Sequence, residues 1–414
     1  MRNLIPFVDQ QSIMGQKKTQ RRRQKREEGG AGTGAVPGGG RGKGGLKVKH
    51  KKFPFLQFVG VLAIAVIFPQ AARFIEYGPT AILGHNFFDL QRTPSEWRSI
   101  IDGNGEGEEV TGNGKTILTI GGPHRSGTTL VWESVSAHPE ISGFGSTFRT
   151  GVSFSEGILL QEVFPKFGVA TELVIKEQEG YTERMTGVGK FALAKEAEVH
   201  LTEDDERVTE DNLAKLLNRY GAYWNLTQPV WVDKSPPAAV ISRALQALYG
   251  LEVEGTDPPP SRSPTPSTKF LFTTRNPIAN AYAHHHLLGG SDVVPFDLLL
   301  QNYVKVHSYL MEDLPHLKNG PKLIRLEDFV ADPAAHLIDI FTWLGVDASP
   351  DTVERVIESV GGSEGIRTEV NAKYMEKWCT IDAWKRDKVE KRYQPQIDEL
   401  GLDYNLIGSC KKAE

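Results

Sequence analysis

The stretch Thr116-Ile-Leu-Thr-Ile-Gly-Gly-Pro-His-Arg-Ser-Gly-Thr-Thr-Leu130 constrains this chain most. A short β-prone run, residues 116–120, meets a loop with glycines at 121, 122 and 127, and an apolar helix is predicted over 129–137. Glycines give the backbone conformations closed to other residues and let an anion approach closely. The unpaired amides at the helix start, with the positive end of its dipole, then suit a phosphate-like group. Residues Gly122 to Thr129 carry the spacing G-x-x-x-x-G-x-T. A nucleoside-triphosphate loop requires Lys at position 128, where Thr stands, and the positive charge comes instead from Arg125 within the loop. The segment therefore reads as a phosphate-cradling loop for a nucleotide donor, and it argues against ordinary kinase or ATPase chemistry. A ligand-free Gly-rich turn is the bland alternative; strand, loop, Arg, Ser/Thr and helix in succession favour binding.

Three more β-prone runs follow, at 230–233, 269–274 and 323–325, and Pro277 stands where the first turn of a helix begins. Short apolar strands separated by helices indicate an α/β fold, a P-loop-like central parallel sheet flanked by helices. Residues 252–268, with DPPPSRSPTPS, read as an exposed insertion loop.

The ends of the chain differ in charge. Residues 1–52 hold 14 Lys/Arg against 3 Asp/Glu, whereas the whole chain is net −4. Basic runs and a Gly-rich stretch predict a disordered basic tail over 1–52. Residues 53–72 begin FPFLQFVGVLAIAVIF and carry no charge, close to the ~20 residues that cross a bilayer core. Lysines just upstream predict a signal anchor with a cytosolic N-terminus and a lumenal remainder. That span decides against a nucleic-acid-binding arm. A stem is expected over 73–115 and the catalytic domain over 116–407. Asn225-Leu226-Thr227 is a glycosylation triplet that would be lumenal. Cys379 and Cys410 either pair in an oxidising lumen or stay free, and no His/Cys cluster has metal-site spacing.

At this point the chain resembles the sulfotransferase superfamily, in its membrane-bound, Golgi-type branch, with similarity to tyrosylprotein and carbohydrate sulfotransferases. Arg125-Ser126-Gly127-Thr128-Thr129 resembles the family's 5′-phosphosulfate loop, and Ala137-His138-Pro139 its continuation. KFLFTTRNPIANAYAH at 269–284 resembles the 3′-phosphate region, a strand followed by R-[ND]-P and a helix. Val232-Asp-Lys-Ser-Pro236 is similar to a lysine-bearing segment, and Ile324-Arg-Leu-Glu-Asp-Phe329, Asp332-Pro333, Trp378 and Gly401-Leu-Asp-Tyr404 to later parts.

The resemblance implies a 3′-phosphoadenylyl sulfate (PAPS) donor and a hydroxyl or amine acceptor on a glycan or secreted protein. Arg125 and the amides of Ser126, Gly127, Thr128 and Thr129 would hold the 5′-phosphate. Arg275 would bind the 3′-phosphate as a planar donor, and Lys234 would meet the bridging oxygen. Enough fixed cations could dispense with a metal. Two departures stand out. Ala283 occupies the position of a usual Ser, and no carboxylate or His fills the places where relatives carry their base. Glu156 is the first candidate base, and His284-His285-His286 also attracts notice. The acidic stretch 203–211 reads as a solvated loop. A catalytically inactive lumenal nucleotide-binding scaffold and a kinase-like P-loop enzyme are the rival readings.

Overall fold

The computed structural model describes residues 92–103, 114–143, 157, 159–164, 189–253, 267–288, 294–361, 366–407 and 410. The predicted tail (1–52) and span (53–72) lie outside them, as do 254–266 of the insertion loop. Among the described residues no helix is long and apolar enough to cross a membrane. All of them belong to one compact unit, Ala65–Glu414.

The first described element is helix α1 (Pro94–Ile101). Thr93 and Glu96 form a reciprocal capping box at its start, and Pro94 takes the first helical position. Trp97 is fully buried, and its indole donates to Asn218 Oδ1 at 2.9 Å. Residues 92–103, expected in the stem, are thus folded onto the domain. Polar and glycine residues around a single tryptophan hide the helical periodicity of so short an element.

A five-stranded, wholly parallel sheet organises the rest: β1 (Thr116–Gly121), β2 (Ile141–Ser142), β3 (Val230–Lys234), β4 (Ser267–Thr274) and β5 (Lys322–Arg325). The spatial order is β2-β3-β1-β4-β5. Strand β1 is central; Ile120 lies opposite Lys234 on one side and Gly121 opposite Phe272 on the other. Both faces are covered, so β1 and β3 are buried along their whole length. The four predicted strands match, each extended by a residue or two except at one end. The two-residue β2 was not foreseen, and β4 begins at Ser267, so 267–268 belong to the sheet and not to the insertion.

The helices that matter for the site follow the strands. Helix α2 (Thr128–Ser136) leaves the glycine loop, and α3 (Glu210–Gly221) packs against α1. Helix α4 (Ser242–Tyr249) follows β3, and α5 (Pro277–Leu288) follows β4. Helix α6 (Phe296–Asp313) packs along α5, and α7 (Leu326–Ala331) continues directly from β5. Helices α8 (Pro333–Leu344), α9 (Pro350–Gly361), α10 (Ala372–Cys379) and α11 (Ala383–Glu399) follow. Cys379, at the end of α10, forms a disulfide with Cys410, so pairing is the outcome of the two open alternatives.

Candidate functional site

Three adjacent strands, β3, β1 and β4, end at the same edge of the sheet, and each delivers one predicted cation there. In an open α/β sheet the carboxyl ends of the strands, where the winding changes direction, form the ligand crevice. Here β1 sits between β3 and β4 and its chain leaves toward β2, which makes the end of β1 such a point.

The loop after β1 is shaped by steric necessity. Gly122 has φ 139°, and a Cβ there would lie 2.3 Å from the Thr273 carbonyl oxygen. Gly127 has φ 95°, and a Cβ would lie 2.5 Å from Leu326 Cδ1. Arg125 adopts φ 66° despite its side chain and is exposed. Non-glycine residues rarely take this region, and such strain concentrates at functional loops.

Ser126 is fully buried and turned inward. Its hydroxyl donates to Pro123 O at 2.6 Å and lies 2.8 Å from Thr273 Oγ1, and its amide donates to Pro123 O at 3.1 Å. Ser126 therefore pins the loop to β4, and its amide is used within the turn. Gly127 is the N-cap of α2 and gives no side-chain cap to the helix start. The first amides of α2, at Thr128 and Thr129, point to the open end of the helix with its dipole behind them.

Arg275 follows β4 and is 7% exposed. Its guanidinium donates to Arg125 O at 3.0 Å, Val370 O at 2.6 Å and Asn371 Oδ1 at 2.8 Å, and it lies 5.2 Å from the Tyr374 ring centroid. It thus joins the phosphate loop to the segment that enters α10. Asn276 caps α5 through bonds from the Ile278 and Ala279 amides, and Pro277 opens the helix. This is the physical content of the R-N-P sequence: a donor, a cap and a helix start in three successive residues.

Glu327 holds this corner together. One oxygen accepts from the Asn276 amide at 2.8 Å and from Asn371 Nδ2, and the other accepts from Tyr404 at 3.1 Å. The late motifs seen in sequence, around Glu327 and Tyr404, therefore brace the Arg275 turn.

Lys234 ends β3 and is fully buried. The Ser235 amide donates to Ile120 O at 2.9 Å, and the Gly122 amide to Pro236 O at 3.1 Å, which locks the end of β3 against the loop. The Lys234 charge acts on His124 and Glu133. Glu133, on α2, is half-buried, and burial raises its carboxyl above the usual range while Lys234 opposes the rise.

Of the predicted site residues, Arg125, Ser126, Gly127, Thr128, Thr129, Lys234 and Arg275 come together on this edge. Glu156 lies outside the described residues; its neighbour Gly157 packs against Ser235. Ala283 packs in an apolar cluster with Tyr282 and Trp378. His284 turns toward the loop instead and its ring stands 6.5 Å from that of His124. His285 bonds Val294 O at 3.0 Å. In the acidic stretch Glu203 binds Arg243 through two 2.7 Å contacts, which hold its carboxyl down at about 2.

Residues 118–350, more than half of the chain, match the Sulfotransferase family. This chain belongs to the sulfotransferase family. No curated protein matches it in sequence. Solved structures similar to it include the sulfotransferase domain of the Synechococcus PCC 7002 olefin synthase, at 19% identity and TM-score 0.37, covering 65% of this chain and 89% of that one. A sulfotransferase from Alicyclobacillus acidocaldarius matches at 15% identity and TM-score 0.36, over 68% of this chain and 93% of that one. Retinol dehydratase in complex with retinol and PAP matches at 14% identity and TM-score 0.33, over 77% and 85%. Within this sulfotransferase, His124, Glu133, Asn280 and Asn371 stand at this edge without having been singled out in the sequence, although His124 and Asn280 lie inside the quoted stretches. The one signal available was the place of His124 immediately before the loop arginine.

Proposed function

We propose that this sulfotransferase moves a sulfuryl group from PAPS to a hydroxyl or amine of a glycan or secreted protein. The observation that carries the reading is the convergence of three cations from three separate motifs, with the Arg275 guanidinium bonded to the carbonyl of Arg125. When bound, PAPS supplies the activated sulfuryl group. Arg125 with the Thr128 and Thr129 amides holds its 5′-phosphate, and Arg275 its 3′-phosphate. Lys234, at the end of the neighbouring strand, meets the charge that builds on the departing nucleotide. These fixed cations can take the part that Mg²⁺ plays in triphosphate chemistry.

The proposed setting is the Golgi lumen, with residues 53–72 as a type II anchor and 1–52 in the cytosol. The Cys379–Cys410 disulfide favours an oxidising compartment. Asn225 is half-buried in a turn with the Thr227 hydroxyl 2.9 Å from its side-chain oxygen, on a loop that a glycan could reach.

The test is transfer of labelled sulfuryl from PAPS by the full-length chain to offered phenols, tyrosine peptides and saccharides. Transfer to at least one class, lost in Lys234→Ala, supports the proposal. Binding of the nucleotide with transfer to none would favour the inactive-scaffold reading.

A further inference from the structure

The chemistry proposed above needs a group to take the acceptor's proton, and Lys234 and the arginines cannot serve as one while charged. His124 stands beside them. It precedes Arg125 in the loop, is 7% exposed, and packs edge-on against Phe191 at 5.3 Å between ring centroids. Its carbonyl accepts from Asn280 Nδ2 at 2.9 Å, which fixes the backbone and leaves the ring to other work. The ring nitrogen Nδ1 is buried with no hydrogen-bond partner among the described residues. A fold retains a buried, unpaired nitrogen at a cost, and such atoms repay a search for a ligand.

His284 faces it. Its Nδ1 lies 3.0 Å from Asn280 O, and because a carbonyl only accepts, that nitrogen carries the proton and Nε2 holds the lone pair. This Nε2 is also buried, with no hydrogen-bond partner among the described residues. A Cβ at Gly189 would lie 3.2 Å from it, so only glycine leaves room there. Two imidazole nitrogens without a partner among the described residues thus flank one side of the loop; the Arg125 charge acts on both rings, Lys234 on His124 and Arg275 on His284. Burial keeps both rings neutral, His124 well below its ordinary value with Lys234 and Arg125 adding to the shift, and His284 down at about 3 with Arg125 and Arg275 adding. An anionic nucleotide in the loop would raise the proton affinity of His124. A neutral imidazole is a proton acceptor.

We infer that His124 is the general base of the transfer; the inference rests on the sulfuryl-transfer reading. The acceptor oxygen forms the new O–S bond as the sulfur–oxygen bond to the nucleotide phosphate breaks. The electron pair of that bond leaves with the phosphate oxygen, which Lys234 faces, and the acceptor's proton passes to His124. The imidazolium formed sits beside the anionic nucleotide and returns its proton to solvent after product leaves. Glu133 is the competing base on α2: it is half-exposed, burial raises its carboxyl against the opposing Lys234 charge, and the experiment separates it from His124.

The experiment compares the full-length wild type with His124→Gln, His124→Ala and Glu133→Gln. Binding of adenosine 3′,5′-bisphosphate is measured by calorimetry, and labelled sulfuryl transfer with 4-nitrophenol, a tyrosine peptide and an N-acetylglucosamine disaccharide. Expected is bisphosphate affinity within about threefold of wild type in His124→Gln, with turnover lowered about 10²–10⁴-fold. Added imidazole should restore part of the transfer to His124→Ala. Wild-type turnover in His124→Gln would overturn the inference, as would joint loss of binding and transfer without imidazole rescue. So would loss of transfer in Glu133→Gln alone. A wild type that binds no bisphosphate, or transfers to no acceptor, would overturn the parent reading and this one with it.

Discussion

At the scale of single residues the loop is held by what cannot be changed. Gly122 stands where any side chain would strike the Thr273 carbonyl at 2.3 Å, and at a φ of 139°. Gly122→Ala should therefore cost about 1–3 kcal/mol, seen as a lower Tm together with weaker nucleotide binding. An unchanged Tm would mean that β4 gives way more easily than its place in the sheet implies. Glu327 touches no proposed ligand, yet it braces Asn276, Asn371 and Tyr404 together. Glu327→Gln should keep the fold and weaken adenosine bisphosphate binding several-fold, by loosening the turn that aims Arg275. Calorimetry at wild-type strength would place the bracing elsewhere. These roles were partly legible in the sequence. Arg125, Lys234 and Arg275 were marked by the residues around them, because glycine, proline and asparagine at fixed offsets encode local turns. His124 and Glu133 were not, since their importance lies in what the fold brings near them from β3 and α5.

At the scale of elements, the strands were readable because β-branched and aromatic runs buried on both faces stand out from their surroundings. The glycine loop and the Pro277 helix start were readable from backbone chemistry alone. Helix α1 was not: its Pro, Ser and Arg residues suit a stem as well as a helix, and only the burial of Trp97 against α3 decides. The pairing of Cys379 and Cys410 was equally undecidable from spacing, because α10, α11 and the turn after them have to fold back first. That disulfide closes a separation of 31 residues. Breaking it with Cys379→Ser should destabilise the domain by about 2–4 kcal/mol in denaturant unfolding. Reducing agent should give the same shift to wild type and none to the variant. No shift in either would show the thiols to be free.

At the scale of the whole molecule, buried imidazoles make stability depend on pH. His284 and His307 are fully buried and held down at about 3 and about 4, chiefly by desolvation. Their folded values lie below the unfolded value of about 6.5, so the unfolded chain binds more protons in the window between. Stability is therefore full above about pH 6.5 and falls with acid, by about 1.4 kcal/mol per pH unit for each group, until the folded values are reached. Urea unfolding at pH 7.0 and 5.0 should show this loss; equal stability at both would contradict the burial of the rings.

The edge formed by the ends of β3, β1 and β4 is the proposed seat of a 3′-phosphorylated adenosine nucleotide. Calorimetry of adenosine 3′,5′-bisphosphate with the full-length chain, in the absence of divalent metal, tests it most directly. Arg125→Asn removes the loop charge while suiting the left-handed backbone there. Micromolar binding by the wild type, weakened at least about tenfold in Arg125→Asn, is the predicted result; a tenfold loss corresponds to about 1.4 kcal/mol, close to the lower end of the range for one charged hydrogen bond. A folded chain that ignored the bisphosphate and bound Mg²⁺-ATP would rule that seat out.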